Sequence, residues 1–150
     1  MDLKARLHQD LRAAMKAGGK VETSTLRLLL NAIKTREVEK RRELTEPEIL
    51  QLIVKQSSQR RESIHQFRRG GREDLVLREE AELQVLEKLL PKAMTPEELL
   101  AKAREAIAAT GAASVKDIGK VMAYLMPQVA GRADGKEVSH LVRQELSGGA

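Results

Sequence analysis

Four basic residues in the last third of the chain have side chains of a type that can contact phosphate groups, although composition alone assigns them no role. They are Lys116, Lys120, Arg132 and Lys136, and the last two follow a glycine, Gly131. Lys116 and Lys136 fall in the first turns of predicted helices, where a cation is disfavoured by roughly 0.3–1 kcal/mol. A bound anion would reverse that preference, because free backbone N–H groups and lysines would converge on it. These lysines are therefore either tolerated cations or contacts to an anionic partner.

Further basic residues cluster in the first 90 residues, which hold 19 basic and 15 acidic residues of the chain's 27 and 22. The additional candidate phosphate contacts are two arginine pairs, Arg60-Arg61 and Arg68-Arg69. A positive excess attracts nucleic acid through its phosphates. The simpler interpretation is a solvated face whose cations pair with acidic neighbours. Those neighbours would be Glu37, Glu39, Glu43 and Glu62.

Groups suited to catalysis or metal binding are few and scattered. The chain has no cysteine, which excludes disulfides, thiol nucleophiles and thiolate metal sites. None of the three histidines, His8, His65 and His140, has a second histidine at the spacing of a helical metal pair. Ser57-Ser58 lacks the glycines of a nucleophile elbow and is expected to be polar filler on an exposed helix. We therefore predict no catalytic residue, no metal and no cofactor, and a protein that is not an enzyme.

The elements that position these residues are helices. Only 1% of the residues are aromatic, so the core must be built from aliphatic side chains, and no stretch alternates as a strand does. Apolar spacing, caps and glycine stops predict seven helices. These run over 2–17, from 23 or 24 to about 43, from Thr45 to Gly70, over 74–89, from Thr95 to Gly111, from Ser114 to Gly131, and from Asp134 onward.

Three helices carry particular expectations. In the first, Leu3, Leu7, Leu11, Ala14 and Met15 are predicted to share the core face. The third has no large apolar residue between Val54 and Ile64, so its middle must be exposed or face something polar. Thr23 or Ser24 is expected to cap the second helix.

Pro91 marks the predicted boundary between two lobes. The fold class is therefore all-α, with a four-helix N-terminal lobe over residues 1–91 and a small three-helix C-terminal lobe over residues 95–150. No apolar run approaches the roughly 20 residues that span a bilayer. The absence of cysteine and of a signal-peptide pattern favours a cytoplasmic protein with no membrane contact.

Several segments together give the chain a resemblance to the YqeY proteins, also called the GatB/YqeY family. The most specific segments are Asp117-Ile118-Gly119-Lys120-Val121-Met122, Met126-Pro127 and Gly131-Arg132-Ala133-Asp134-Gly135. Earlier ones are Ser24-Thr25-Leu26-Arg27, Gly71-Arg72-Glu73-Asp74-Leu75-Val76 and Leu86-Glu87-Lys88-Leu89-Leu90-Pro91. The resemblance covers nearly the whole chain and implies an N-terminal helical lobe followed by a small three-helix lobe.

The resemblance also implies a role in translation. Similar domains form the tail of the B subunit of the tRNA-dependent amidotransferase and an appendage of some glutaminyl-tRNA synthetases, where they help to hold tRNA. We therefore expect a non-catalytic tRNA-binding accessory domain, with Lys116, Lys120, Arg132 and Lys136 as contacts. The alternative is a protein-interaction module that docks a synthetase or amidotransferase component through the middle of the third helix, without contacting RNA.

Overall fold

The computed structural model describes residues 2–148, most of which are in helices. The chain forms seven α-helices and one 3₁₀ turn, with no strand among these residues. The prediction of an all-α fold is confirmed. By its internal contacts the chain divides into two compact units, Met1–Leu90 and Pro91–Ala150. The predicted division into a four-helix lobe over residues 1–91 and a three-helix lobe over residues 95–150 stays a prediction.

Unit 1 contains the first four helices. They are α1 (Leu3–Ala17), α2 (Lys20–Lys40), α3 (Glu46–Arg69) and α4 (Glu73–Glu87). α3 packs mainly on α4, and α1 packs mainly on α2. The core is aliphatic, as expected from the scarcity of aromatic residues, and its most buried side chains include Leu7, Leu29, Ile53 and Leu86.

Unit 2 contains three α-helices and the 3₁₀ turn. They are α5 (Pro96–Thr110), the turn Val115–Asp117, α6 (Ile118–Val129) and α7 (Gly135–Leu146). Each helix contacts the other two. Their shared core combines small residues of α5 with branched residues of α6 and α7, and its fully buried members include Ala103, Val121, Leu125 and Val142.

Three helix starts follow the local chemistry of the sequence. Thr45 and Thr95 each accept a hydrogen bond from the N–H of a glutamate three residues on, and that glutamate accepts from the threonine N–H. These reciprocal pairs are capping boxes, which satisfy two otherwise unpaired backbone donors. Asp134 caps α7 by accepting from the Lys136 N–H. Ser114 forms a third box, but it opens the 3₁₀ turn before α6.

The predicted start of α2 is wrong. The helix begins at Lys20, so Thr23 and Ser24 lie inside it and neither caps it. Gly18 adopts a left-handed conformation (φ 73°), and the Gly19 N–H donates to the Ala14 carbonyl at 3.0 Å. This turn closes α1 with two glycines alone, which leaves the next residue free to start α2. The predicted end near residue 43 is also late, because Arg41 in a left-handed conformation stops the helix after Lys40.

The predicted solvent exposure of two residues is also wrong. Ser57 is fully buried, and its hydroxyl donates to the Ile53 carbonyl at 2.9 Å. A small side chain bonded to its own helix can be buried without leaving an unpaired polar group. Met15, predicted to lie on the core face of α1, is 50% exposed. It sits in the last turn of α1, beside the glycine turn that carries the chain into α2.

Candidate nucleic-acid interface

Arg132 occupies the corner between α6 and α7 and fixes its position. The corner turns at Gly131, which has a φ of 80°. The Arg132 Nε donates to the Lys92 carbonyl at 2.9 Å, and the Arg132 carbonyl accepts from the Met94 N–H at 2.9 Å. A further nitrogen, Nη2, donates to Glu98 Oε2 at 3.3 Å. The guanidinium and the backbone carbonyl of Arg132 therefore hold the segment before α5 and the first turn of α5 against the corner.

Lys136 leaves its ammonium group at the surface. The first turn of α7 is capped by Asp134, whose Oδ1 accepts from the Lys136 N–H at 3.0 Å. The Lys136 side chain is exposed and forms no ion pair with any residue between 2 and 148. The Asp134 carboxylate thus bonds to the backbone N–H of Lys136 and not to its ammonium group. The lysine charge remains available to a partner.

Lys116 and Lys120 lie at the start of α6 and are also exposed. The Lys120 ammonium is 3.8 Å from Asp117 Oδ1, too long for a hydrogen bond. Asp117 Oδ2 accepts from the Ala113 N–H at 2.8 Å, and this bond in particular holds the pKa of the Asp117 carboxyl below its ordinary value. Lys116 makes no ion pair within the described part of the chain.

Gly119, between these two lysines, has no structural requirement that explains it. It lies in the first turn of α6 with ordinary helical backbone angles, and a Cβ built on it would meet no atom within 4 Å. Glycine in a helix costs roughly 0.5–1 kcal/mol relative to alanine. The chain therefore carries an exposed length of bare backbone between two lysines at a cost in stability.

The four predicted contacts of unit 2 form two groups. Lys116 and Lys120 flank the start of α6, whereas Arg132 and Lys136 lie where α7 begins. A Cβ on Gly135 would be 3.8 Å from Met126 Cε, so the start of α7 lies beside the second half of α6. The six residues from Lys120 to Met126 rise about 9 Å along the helix axis. The two groups therefore lie at different points along α6.

The arginine pairs of α3 are mostly engaged by carboxylates of α4. Arg60 Nη1 lies 2.7 Å from Glu82 Oε2 and 3.3 Å from Glu79 Oε2, and only 16% of its side chain is exposed. Arg61 pairs with Glu87 at 3.0 Å, and Arg68 pairs with Glu80 at 2.9 Å. Arg69 is exposed and forms no ion pair with the described residues. The arginine pairs of unit 1 thus mainly join α3 to α4.

A further basic run, Lys40 to Arg42, is held by one acidic residue. Glu48 accepts from Lys40 Nζ at 2.7 Å and from both terminal nitrogens of Arg42 at 2.7 and 2.9 Å. These bonds, that of Arg42 foremost, keep the pKa of the Glu48 carboxyl far below its ordinary value. Because Glu48 also completes the Thr45 capping box, the run is part of the α2–α3 connection.

Glu37, like Glu48, joins separate segments of unit 1 through hydrogen bonds. This role was not predicted from the sequence. Glu37 accepts from Lys4 Nζ at 2.8 Å and from the Leu44 N–H at 2.9 Å. The Lys4 ammonium first, and then the Leu44 N–H, lower the pKa of the Glu37 carboxyl. The contact joins residues 33 positions apart, a separation that helical spacing cannot reveal.

Other classes of site find no support in the described residues. Between residues 2 and 148 no group of three or more histidine, cysteine, aspartate or glutamate side chains is arranged to hold a metal ion. Over the same range, every helix is too short or too polar to cross a bilayer.

Comparison with known proteins gives one family and a set of fungal relatives. A family model described as Yqey-like protein matches residues 4–146. Proteins named altered inheritance of mitochondria protein 41, mitochondrial, are 40% identical in Eremothecium gossypii, 36% in Lachancea thermotolerans and 32% in Saccharomyces cerevisiae. These alignments cover 68%, 60% and 62% of this chain and 57%, 49% and 51% of the relatives. The chain thus spans about half the length of the curated relatives it matches.

The names of these relatives bear on two predictions. They place the fungal proteins in mitochondria, which contradicts the cytoplasmic location expected from the sequence. The expectation rested on the absence of cysteine and of a signal-peptide pattern, and neither feature separates one reducing compartment from another. Neither the family description nor the names of the relatives specify a reaction.

Proposed function

We propose that this chain, which belongs to the Yqey-like protein family, is a non-catalytic accessory protein that binds tRNA through unit 2. The observation that supports this proposal is the set of exposed lysines, with Lys116 and Lys120 at the start of α6 and Lys136 after the corner that Arg132 holds in place. These ammonium groups make no hydrogen bond to a carboxylate within residues 2–148. Lys116 and Lys136 form no ion pair within these residues and Lys120 has only the Asp117 carboxylate at 3.8 Å, whereas RNA phosphates would pair with all three.

The chemistry of unit 2 suits the backbone of a folded RNA better than its bases. Modules that bind unpaired bases stack them on aromatic rings, and Tyr124 is the one aromatic residue of unit 2. Lysine ammonium groups and exposed backbone contact phosphate without regard to sequence. We therefore expect tRNA binding that depends on shape and charge, with Arg132 holding the loop that presents Lys136.

A direct test is the binding of bulk tRNA to the full-length protein at two salt concentrations, about 50 and 200 mM. The variant to compare is Lys116→Ala/Lys120→Ala/Lys136→Ala. Its affinity at the lower salt is expected to fall at least about tenfold, since each lysine removed from a phosphate abolishes one counterion-release contact. The slope of log affinity against log salt is expected to decrease by about three.

The matched control removes three exposed lysines of unit 1, Lys34→Ala/Lys55→Ala/Lys88→Ala. It changes the net charge equally, so a general loss of attraction would weaken both variants alike. Equal affinities for the two variants would contradict an interface on unit 2. If the unaltered protein fails to bind tRNA even at the lower salt, the tRNA function itself is refuted.

Gly119 provides a second test of the same interface. Gly119→Ala is expected to raise the free energy of unfolding by about 0.5–1 kcal/mol, because alanine is the better helix former and its methyl group enters open space. The same methyl group would stand between the backbone and a phosphate, so tRNA affinity is expected to fall several-fold. Thermal denaturation and tRNA titration measure the two effects. A more stable protein with unchanged affinity would make Gly119 a tolerated residue.

A further inference from the structure

An open groove lies where α1 turns into α2, on a part of unit 1 that the proposed tRNA interface does not use. It has a volume of about 630 Å³. The end of α1 contributes Met15, the glycine turn forms its floor, and α2 contributes Lys20, Arg27 and Leu28. The groove exists because the two-glycine turn has no side chains to fill the space between the helices.

Large apolar side chains remain exposed at this groove. Met15 is 50% exposed and Leu28 is 51% exposed, and both line it. Single exposed apolar residues are common on proteins, but two that line the same groove are typical of a place where another molecule binds.

The two charged residues that line the groove are basic. Lys20 and Arg27, and also Lys16 next to Met15 in the chain, form no ion pair with any residue between 2 and 148. Arg27 Nη2 donates instead to Met15 Sδ at 3.7 Å, a weak contact for a guanidinium. Glu22 is the acidic residue in the first turn of α2. The surface therefore joins exposed hydrocarbon to an excess of positive charge.

We infer that this groove binds an acidic amphipathic helix of a partner protein. The apolar ridge of such a helix, with residues at i, i+3, i+4 and i+7, would cover Met15 and Leu28. Acidic residues on the flanks of the helix would face Lys16, Lys20 and Arg27. A bilayer surface is a poorer fit because the site is concave. An RNA is also a poorer fit, because its polar backbone gains nothing from Met15 and Leu28.

The probe is a designed 18-residue peptide with leucine at the four ridge positions and glutamate and alanine elsewhere. The control peptide has the same composition in scrambled order. Fluorescence anisotropy with the full-length protein is expected to give binding of the ordered peptide and at least about tenfold weaker binding of the scrambled one. Leu28→Ser is expected to lower the affinity for the ordered peptide about tenfold, since it removes one buried aliphatic side chain.

The matched control variant is Leu77→Ser, which alters another exposed leucine of unit 1, on α4, and is expected to leave peptide binding unchanged. Lys20→Ala/Arg27→Ala is expected to lower the peptide affinity, and the remaining affinity is expected to change less with salt concentration. The lysine variant of unit 2 should bind the peptide normally, which separates this inference from the proposed tRNA function.

Absence of binding by the ordered peptide, or equal binding of the scrambled one, overturns the inference. The groove is an RNA contact instead if Lys20→Ala/Arg27→Ala weakens tRNA binding while Leu28→Ser leaves peptide binding unchanged.

Discussion

Arg60→Met is expected to lower the free energy of unfolding by about 3 kcal/mol without weakening tRNA binding. Arg60 Nη1 lies between Glu82, at 2.7 Å, and Glu79, at 3.3 Å. Only 16% of the Arg60 side chain and 12% of the Glu82 side chain are exposed. Removing the arginine would leave two half-buried carboxylates beside each other, with Arg78 at 3.8 Å from Glu82 as the remaining cation.

The double variant Arg60→Met/Glu82→Leu is the control for this interpretation. Replacing both members of a buried pair by apolar residues of similar size is often neutral or stabilising. We therefore expect the double variant to recover to within about 1 kcal/mol of the unaltered protein. Denaturant unfolding and tRNA titration of both variants measure the effect. A stable Arg60→Met protein that binds tRNA weakly would make Arg60 an RNA contact and refute its role in joining α3 to α4.

Leu125→Ala is expected to destabilise unit 2 by about 3 kcal/mol. Leu125 is fully buried in α6 at the centre of a core that otherwise consists largely of alanine and valine. The large cost arises because small neighbours cannot collapse far enough to fill the space that the side chain leaves. Hydrogen exchange of the amides in α5, α6 and α7 is the measurement, since a unit of this size has little stability to lose.

The adjacent residue supplies the comparison. Tyr124 is exposed on the same helix, and Tyr124→Ala is expected to change the stability by less than about 0.5 kcal/mol. A similar loss of exchange protection in the two variants would mean that α6 tolerates no change at all. Faster exchange for Leu125→Ala alone would agree with the core position of this residue.

Interactions between near neighbours in the sequence were predictable, and those between distant ones were not. The caps at Thr45, Thr95 and Asp134 depend on residues two or three positions away, so their chemistry is visible in the sequence. The start of α2 was missed because the turn before it uses the Ala14 carbonyl and no side-chain cap. Periodicity placed the helices, but it could not place Met15, whose exposure is set by where the chain leaves α1.

In the candidate interface, too, the properties of single residues were predictable and their contacts to distant residues were not. The sequence identified the basic residues, and nothing local distinguishes Arg60 from Lys136. The difference lies in partners 19 and 22 positions away on α4 for Arg60, and in the absence of any ion pair within residues 2–148 for Lys136. Arg132 was predicted as a tRNA contact together with the lysines from the family resemblance, and this stays a prediction, while its bonds to Lys92 and Glu98 add a structural role that the sequence did not reveal.

The bonds of Arg132 also determine how the C-terminal half should be excised for study. The residues that precede α5 contribute the Lys92 carbonyl and the Met94 amide to the corner before α7. A fragment that begins at Thr95 lacks both groups, and its Arg132 keeps only the bond to Glu98. A fragment that begins at Pro91 retains all three, so the proper cloning boundary lies at Pro91, ahead of the first residue of α5, Pro96.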